Sequence, residues 1–550
     1  MVFLKSDAPP DVLETLRQLE AQADECWRGL QIRYYPTNVA IWALLTGGIR
    51  TVEREQAART SNTPHFGPLL KNLGLLLAIG VKWATKHAQP VEAPLSRRWS
   101  GELSAAVDQA MSVAKDYSHF EVCFQAFHKN VHAADVLEPA LIRFTTPGAE
   151  RDRQVSAYQK GLRPREGLFA GRAPEPRPQS PPVQAAFETV LRSCRATGSL
   201  GFECGELGDL WRALLPEYRE RVAAIARRAD TLSLGDYRLD EFNAFYAALI
   251  AVCGAHEFLC YRWGQSAGAY PLESAVIVRP ASEWVDALSW LSGVAPERCR
   301  AMLSDLSFTE RSIDLHVHPL VPLDGRGDVL ALAPPFPLHS RHDENILRVC
   351  SQRRPAIYNV TSPEKEAEMR DALQSAGARY RPGGPIKLPE PLPDIDLLIG
   401  DEVSSTLVVA ELKWLRKTLR PAEIPEREAE LLKGIDQLED IQRFLAENPA
   451  HLAGQRRLPK AVNEYEHIHY LLVARDYWRW IEPRDGIAIV DHDALARALE
   501  RSETLHGAVS DLLTYDWLPV EGRDFRVQYD GAAANGVTIE SQVFYSTAPA

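Results

Sequence analysis

Apolar residues recur at the 3.6-residue spacing of an amphipathic helix through Glu102–Phe144, Val183–Arg195, Glu206–Arg228, Leu239–Trp263 and Ser282–Leu306. Pro10–Leu30 opens with the same pattern. The chain up to residue 310 therefore reads as mostly helical. Between residues 161 and 182 proline, arginine and glycine displace that pattern. This predicts a linker or loop that separates a helical region 1–160 from a second one, 183–310. From Arg311 the texture changes to strands and turns. Ser312–Val321 and Asp328–Pro335 flank Asp324-Gly325-Arg326-Gly327, a hairpin signal. Further on, His467–Ala474 and Gly486–Val490 read as strands and Asp493–Arg501 as a helix. Phe525–Tyr529 and Gly536–Tyr545 form a late β-rich pair. The expected class is α+β: a mostly α-helical N-terminal region, then an α/β domain over 311–550 with a mixed central sheet and a C-terminal β-rich extension.

Within that second part, one stretch carries chemistry. Residues 393–414 read PDIDLLIGDEVSSTLVVAELKW. The apolar runs Leu397–Ile399 and Thr406–Ala410 are joined by a short polar connection, which predicts a hairpin. Side chains alternate across a strand, so Glu411 and Lys413 point to one face, roughly 6–7 Å apart. Asp396 lies on the neighbouring strand within reach of that face. The pattern sets a carboxylate pair beside an ammonium. It is the only Asp/Glu-x-Lys triplet in the chain, and lysine is scarce here beside arginine. The plain alternative is a strand end emerging into solvent as an ordinary Glu/Lys pair.

The stretch resembles the core of the PD-(D/E)XK nuclease superfamily, whose signature is an Asp on one strand and a Glu-x-Lys on the next. Asp396 matches the first acid, Glu411 the second and Lys413 the lysine. The literal Pro393-Asp394 makes Asp394 the competing choice, but Asp396, before the apolar pair, is the better match. Upstream, Ser362-Pro363-Glu364 is read as a helix start running to Gly377. On it Glu366, with Glu368 second, would correspond to the helix acid of many members. Downstream, the helix Glu428–Leu445 carries Gln437, where relatives have an active-site glutamine. The resemblance spans roughly Leu347 to Asp491 and implies a restriction-endonuclease-like domain that hydrolyses phosphodiester bonds with Mg²⁺, or Mn²⁺ in its place. It implies Asp396, Glu411 and the Leu412 carbonyl as metal ligands, with Lys413, Glu366 and Gln437 completing the catalytic set. Such domains serve restriction, repair and antiviral defence. DNA is the expected polymer, with RNA second.

Composition narrows the partners. The 550 residues are 45% hydrophobic and 25% charged, ordinary for a globular protein. A formal charge of −12 argues against a surface that coats nucleic acid everywhere, because non-specific affinity comes from neutralised phosphates. A local basic groove remains open. The candidates are Arg163/Arg165/Arg172/Arg177 in the proline-rich segment and Arg416, Lys417 and Arg420 just past Lys413. The resemblance implies a nucleic acid as partner, and the helical N-terminal region is expected to meet a second copy or another protein. The most apolar run, Leu73–Val81, is too short to span a membrane. With no signal-peptide pattern and eight scattered cysteines, the expectation is reduced thiols in a cytoplasmic protein.

Two other constellations compete. Asp314-x-His316-x-His318 matches the opening of amidohydrolase-type metal enzymes, which makes a hydrolase using His316 and His318 an alternative function. Cys253, His256 and Cys260 would line one side of a helix, but structural zinc wants four ligands and the surroundings read as core. A third alternative is a nucleic-acid-binding or scaffold subunit that keeps the nuclease fold without turnover. No Gly-x-x-x-x-Gly-Lys-Ser/Thr loop is present, so ATP-driven movement on a polymer would need another protein.

Overall fold

The computed structural model describes residues 3–58, 66–91, 93–146, 148, 150–159, 180–198, 200–225, 232–380, 382–416, 418, 420–453, 458, 460–475 and 480–547. The linker expected over 161–182, with its arginines, falls almost wholly outside the described residues, and Lys417 lies outside them too. The class is α+β.

The part that positions the candidate site is a five-stranded mixed sheet. Its strands are β1 (Pro382–Gly383), β2 (Leu397–Asp401), β3 (Thr406–Trp414), β4 (His467–Arg475) and β5 (Ile487–Asp491), ordered β5-β4-β3-β2-β1. The β1–β2 and β2–β3 pairs are antiparallel, whereas β3–β4 and β4–β5 are parallel. The central strand β3 is buried along nearly its whole length, as a strand covered on both faces must be. Helices cover both faces. Leu407, Val409 and Leu472 pack on Leu431, Ile435 and Leu438 of α3 (Ile424–Glu447). Val408, Ala410 and Leu412 face Met369 and Leu373 of α2 (Pro355–Ala376), together with α4 (His492–Arg501) and α5 (Leu505–Leu513). Each such fully buried aliphatic side chain stabilises the fold by ~1.5–3 kcal/mol.

Several expectations are corrected. Helix α2 begins at Pro355, not Ser362, and carries Pro363 inside it. Pro355 suits the first helical position because its fixed φ is already helical and its missing N–H is not needed there. Ser362 is therefore no N-cap; its hydroxyl donates to Glu366. The helical reading of Glu102–Phe144 holds only over Gly101–His128. Asn130 then turns the chain at a φ of 56°, and strands Ala133–Glu138 and Leu141–Thr145 follow. The Ser282–Leu306 stretch is two helices, broken by Gly293 at a φ of 81° and restarted by Pro296. The hairpin expected on either side of Asp324 exists as Leu320–Pro322 and Val329–Leu332, but residues 313–318 form no strand, and 315–317 are a turn.

The linear domain boundaries also differ from the packing. Ile277–Pro280 pairs with Val329–Leu332 across the boundary expected at 310. A helix α1 (His342–Arg353) buries Ile346, Leu347 and Cys350 in the core built around Leu239–Ala267. The C-terminal hairpin Phe525–Ala534/Val537–Ser546 does not extend the five-stranded sheet. It joins Leu141–Thr145 in parallel and buries Val537 and Ile539 against Phe120, Phe124 and Phe127. Tyr158, from the other end of the chain, donates to Asp491 at 2.6 Å.

Two compositional expectations change as well. The Leu239–Ala267 helix, unlike the shorter run Leu73–Val81, is long and apolar enough to cross a membrane by length and composition. Most of its apolar window is buried inside the protein against neighbouring helices. Cys194 and Cys204 form a disulfide because the short ladder Arg195–Ala196/Phe202–Glu203 brings their Cα atoms to 4.0 Å, so this pair is not two reduced thiols. The other six cysteines are buried and not disulfide-bonded.

Candidate active site

The β2–β3 hairpin sets the site by its register. Asp401 organises the turn, its carboxylate accepting from the Val403 N–H at 3.0 Å and the Ser404 hydroxyl at 2.6 Å. Thr406 then stands opposite Asp401, and Ala410 opposite Leu397. One step further along this register, Glu411 stands opposite Asp396. The two carboxyl groups are hydrogen-bonded to each other. Asp396 also accepts from the Leu412 N–H at 2.9 Å. A strand residue directs its N–H and C=O to the same edge, so the Leu412 carbonyl faces the Asp396 side as well. Lys413 donates to Glu411 at 2.7 Å. Helix α3 crosses this face at Gly434, where a Cβ would stand 3.1 Å from Cε of Lys413 and 2.6 Å from Leu472. From the opposite face, Glu366 on α2 reaches the same strand end, accepting from Ser362 at 3.2 Å with a long contact of 3.4 Å to the Trp414 N–H.

Burial dominates the electrostatics. Glu411 is pushed up to about 8, first by burial and next by the Asp396 carboxylate, with Lys413 pulling the other way. Asp396 and Glu366 are both raised, again first by burial. Burial alone would lower Lys413, but Glu411, Glu366 and Asp396 outweigh it and hold the ammonium above its ordinary value. Three carboxyl groups thus crowd one ammonium, with Arg370 acting on Asp396 from further off. Two carboxylates in contact cannot both ionise cheaply, so the buried Asp396–Glu411 pair favours holding a proton. A divalent cation in that proton's place removes the conflict. The donor set is hard oxygen only, which fits Mg²⁺ or Mn²⁺ rather than a soft metal. Among the described residues no group of three or more His, Cys, Asp and Glu side chains stands in metal-holding geometry. The Asp396–Glu411 pair falls below that count, and Mg²⁺ is commonly held by one or two carboxylates and several waters.

The remaining candidates divide. Asp394 is exposed and takes no part in the pair. Glu368 bonds to Lys365 at 3.3 Å. Gln437 is half-buried, three residues past Gly434 and so on the same side of α3. Of the basic candidates, the two that are described, Arg416 and Arg420, are each engaged within the protein. Arg416 turns inward, donating to Ser351 at 2.5 Å and lying over the Tyr358 ring at 5.1 Å. Burial, with Arg427 and Arg348 nearby, lowers its proton affinity. Arg420 pairs with Glu121 of the Gly101–His128 helix at 3.8 Å. A cavity of about 450 Å³ lies elsewhere, lined by Lys82, Glu310 and Asp324 among others and by no member of the carboxylate cluster.

The competing metal readings gain nothing from the geometry. Nδ1 of His316 bonds to Asp314 at 2.9 Å and the ring packs edge-on to Phe336. Burial pushes His318 down to about 4. His256 bonds to the Ser274 carbonyl at 2.7 Å, between the core cysteines Cys253 and Cys260.

No protein-family model, curated protein or solved structure matches the chain. Sequence reasoning missed Gly434, which makes room for Lys413, and Ser362 as a partner of Glu366. A glycine in mid-helix, three residues before Gln437, was the available signal for the first.

Proposed function

We propose that Asp396, Glu411, Lys413 and Glu366 form a metal-dependent phosphodiesterase site acting on nucleic acid, DNA before RNA. The observation that carries the reading is the buried carboxyl pair across the β2–β3 ladder with an ammonium 2.7 Å from Glu411. Asp396 and Glu411 would hold Mg²⁺ or Mn²⁺, with the Leu412 carbonyl on the same edge. Bound there, the cation supplies a water of lowered pKa and positive charge against the phosphoryl oxygens. Once its Glu411 partner is engaged, Lys413 is free to orient the attacking water or to stabilise the charge growing on phosphorus. Arginine could not take over proton transfer, since its pKa stays above about 12. Glu366 enters from the opposite face and can receive the proton lost by that water. Restriction, repair and defence are processes that such a site would serve.

A second reading is favoured by a specific observation. Lys413 is consumed by Glu411, Arg416 is turned inward and Arg420 is paired. That is how a scaffold subunit without turnover would use these residues. Mn²⁺ titration followed by electron paramagnetic resonance separates the two. The enzyme reading expects binding that Asp396→Asn and Glu411→Gln each abolish, with protons released on binding. Absence of binding by the wild type, with the fold intact, would leave the scaffold.

A further inference from the structure

The cavity of about 450 Å³ stands apart from the carboxylate cluster, and the proposed reaction makes no use of it. It opens where the helices Thr37–Ala58 and Phe66–His87 meet the hairpin around Asp324. Its volume falls within the ~300–1,000 Å³ of ordinary small-molecule sites. Ile41, Phe308 and Val321 are buried and give the cavity an apolar floor. Thr85, Thr309 and Glu310 are exposed and give it a polar rim. Lys82 is half-buried and is the cation of the lining among the described residues. The walls are fixed by bonds of their own. The Thr37 hydroxyl donates to the Gln89 carbonyl at 2.9 Å, which ties the segment leading to Val91 to the start of its helix. Asp324 accepts from the Gly327 N–H at 2.8 Å and from the Arg326 and Val329 N–H groups at 3.1 Å, so its carboxylate is used up by the turn. Lys82 and Glu310 are different: neither forms a hydrogen bond or ion pair among the described residues. Burial lowers the proton affinity of Lys82; Glu121 and Glu310 oppose that effect and Arg420 adds to it. Glu121 is itself engaged by Arg420 at 3.8 Å and by Gln125 at 3.0 Å. A half-buried ammonium without a partner is stabilised by an anion placed against it.

We propose that this cavity binds a small zwitterion with an apolar body, namely a free α-amino acid with an aliphatic or aromatic side chain. Its carboxylate meets Lys82, its ammonium meets Glu310 at the rim, and its side chain covers Ile41, Phe308 and Val321. The Thr85 and Thr309 hydroxyls can accept from the ammonium as well, since a hydroxyl keeps acceptor capacity while it donates. The charges select this class. An unpartnered cation and an unpartnered anion line the same cavity, so a ligand carrying one of each leaves no charge unmatched. A nucleotide or other polyanion would set several negative charges against a single ammonium and beside Glu310. An uncharged apolar molecule would cover the floor but leave Lys82 without an anion. A few placed polar groups above an apolar floor are the usual means of orienting a small ligand. The proposal is independent of the phosphodiesterase reading.

The test is isothermal titration calorimetry on the full chain with leucine, methionine and phenylalanine. Each comparator lacks one part of leucine: 4-methylpentanoate the ammonium, 3-methylbutylamine the carboxylate, glycine the side chain. At least one of the three amino acids is expected to bind, and the matching comparators to bind about tenfold more weakly or worse, as the loss of a charge-assisted bond implies. Lys82→Met keeps the apolar stem and removes the charge, so it should no longer prefer leucine to 3-methylbutylamine. It should melt no lower than the wild type, because it removes a charge that burial disfavours. Glu310→Gln, at an exposed position, should no longer prefer leucine to 4-methylpentanoate. Binding that each substitution weakens in this pattern supports the proposal, whether or not the protein cuts nucleic acid. No binding of any of the three amino acids at millimolar concentration overturns it. Binding unchanged by both substitutions overturns it too, because the ligand then sits elsewhere. 4-Methylpentanoate bound as tightly as leucine overturns the zwitterion assignment.

Discussion

Replacing Glu411 by glutamine tests the charge conflict at the heart of the site. In the wild type, folding raises the proton affinity of Glu411 from an ordinary 4.5 to about 8. The protonated form therefore favours the folded state. Its contribution is full below about pH 4.5 and is lost as the pH rises through about 8. At about 1.4 kcal/mol for each tenfold change in proton affinity, the ceiling on this loss is ~5 kcal/mol. Sharing of the proton with Asp396 and the attraction of Lys413 bring the observed value below that ceiling. Asp396 and Glu366 are raised too and act with the same sign. Lys413 is raised from 10.5, so its contribution is lost only above the range of the assay. Urea unfolding in EDTA from pH 5 to 9 should show wild-type stability falling by several kcal/mol. Glu411→Gln keeps the shape and, through its amide, a donor for Asp396, so its profile should be markedly flatter. At pH 9 the variant should be the more stable protein. Mg²⁺ should restore the wild type at high pH and leave the variant unmoved. A flat wild-type profile in EDTA would refute the reasoning, because it would mean that Glu411 ionises freely beside Lys413.

Three further outcomes follow from particular contacts. Gly434→Ala places a methyl 2.6 Å from Leu472 and 3.1 Å from Lys413, which should cost ~1–3 kcal/mol of strain against ~1 kcal/mol gained in helix propensity. The proposed cutting rate should fall while Mn²⁺ affinity holds; unchanged rates would mean that Lys413 needs no positioning. Ile539→Ala empties a fully buried site between the C-terminal hairpin and the N-terminal helices and should cost ~2–5 kcal/mol in denaturant unfolding. A loss under about 1 kcal/mol would mean that the hairpin is not anchored there. Tyr158→Phe removes the 2.6 Å bond to Asp491 and should cost ~1–3 kcal/mol, seen as a lower melting temperature, with metal affinity unaffected.

The hairpin around Asp396 and Glu411 was legible because its information is local. Apolar runs of opposite direction, a polar turn and period-two alternation together fix register and face. The same locality explains the errors. Residues 141–145 and 537–546 pair across nearly the whole chain, and no periodicity within either segment names its partner. Pro363 looked like a helix start because proline favours that position, yet packing of Thr361 and Met369 carries α2 through it. Arg416 and Arg420 read as a basic groove because they follow the strand of Glu411 and Lys413. Whether an arginine faces solvent or Tyr358 depends on α1 and α2, which the local sequence does not place. Gly434 shows itself as a glycine in mid-helix, but the residue it makes room for, Lys413, stands on another element that the local sequence does not name.

On the proposed reading, Asp396, Glu411 and Lys413 cut a phosphodiester together. Its most direct test is cleavage of matched single- and double-stranded DNA and RNA, with Mg²⁺, Mn²⁺ or EDTA, by wild type, Asp396→Ala and Lys413→Ala. The expected result is metal-dependent cutting, DNA first, that either substitution abolishes although both variants remain folded. Cutting that survives both substitutions, or that proceeds in EDTA, would contradict it.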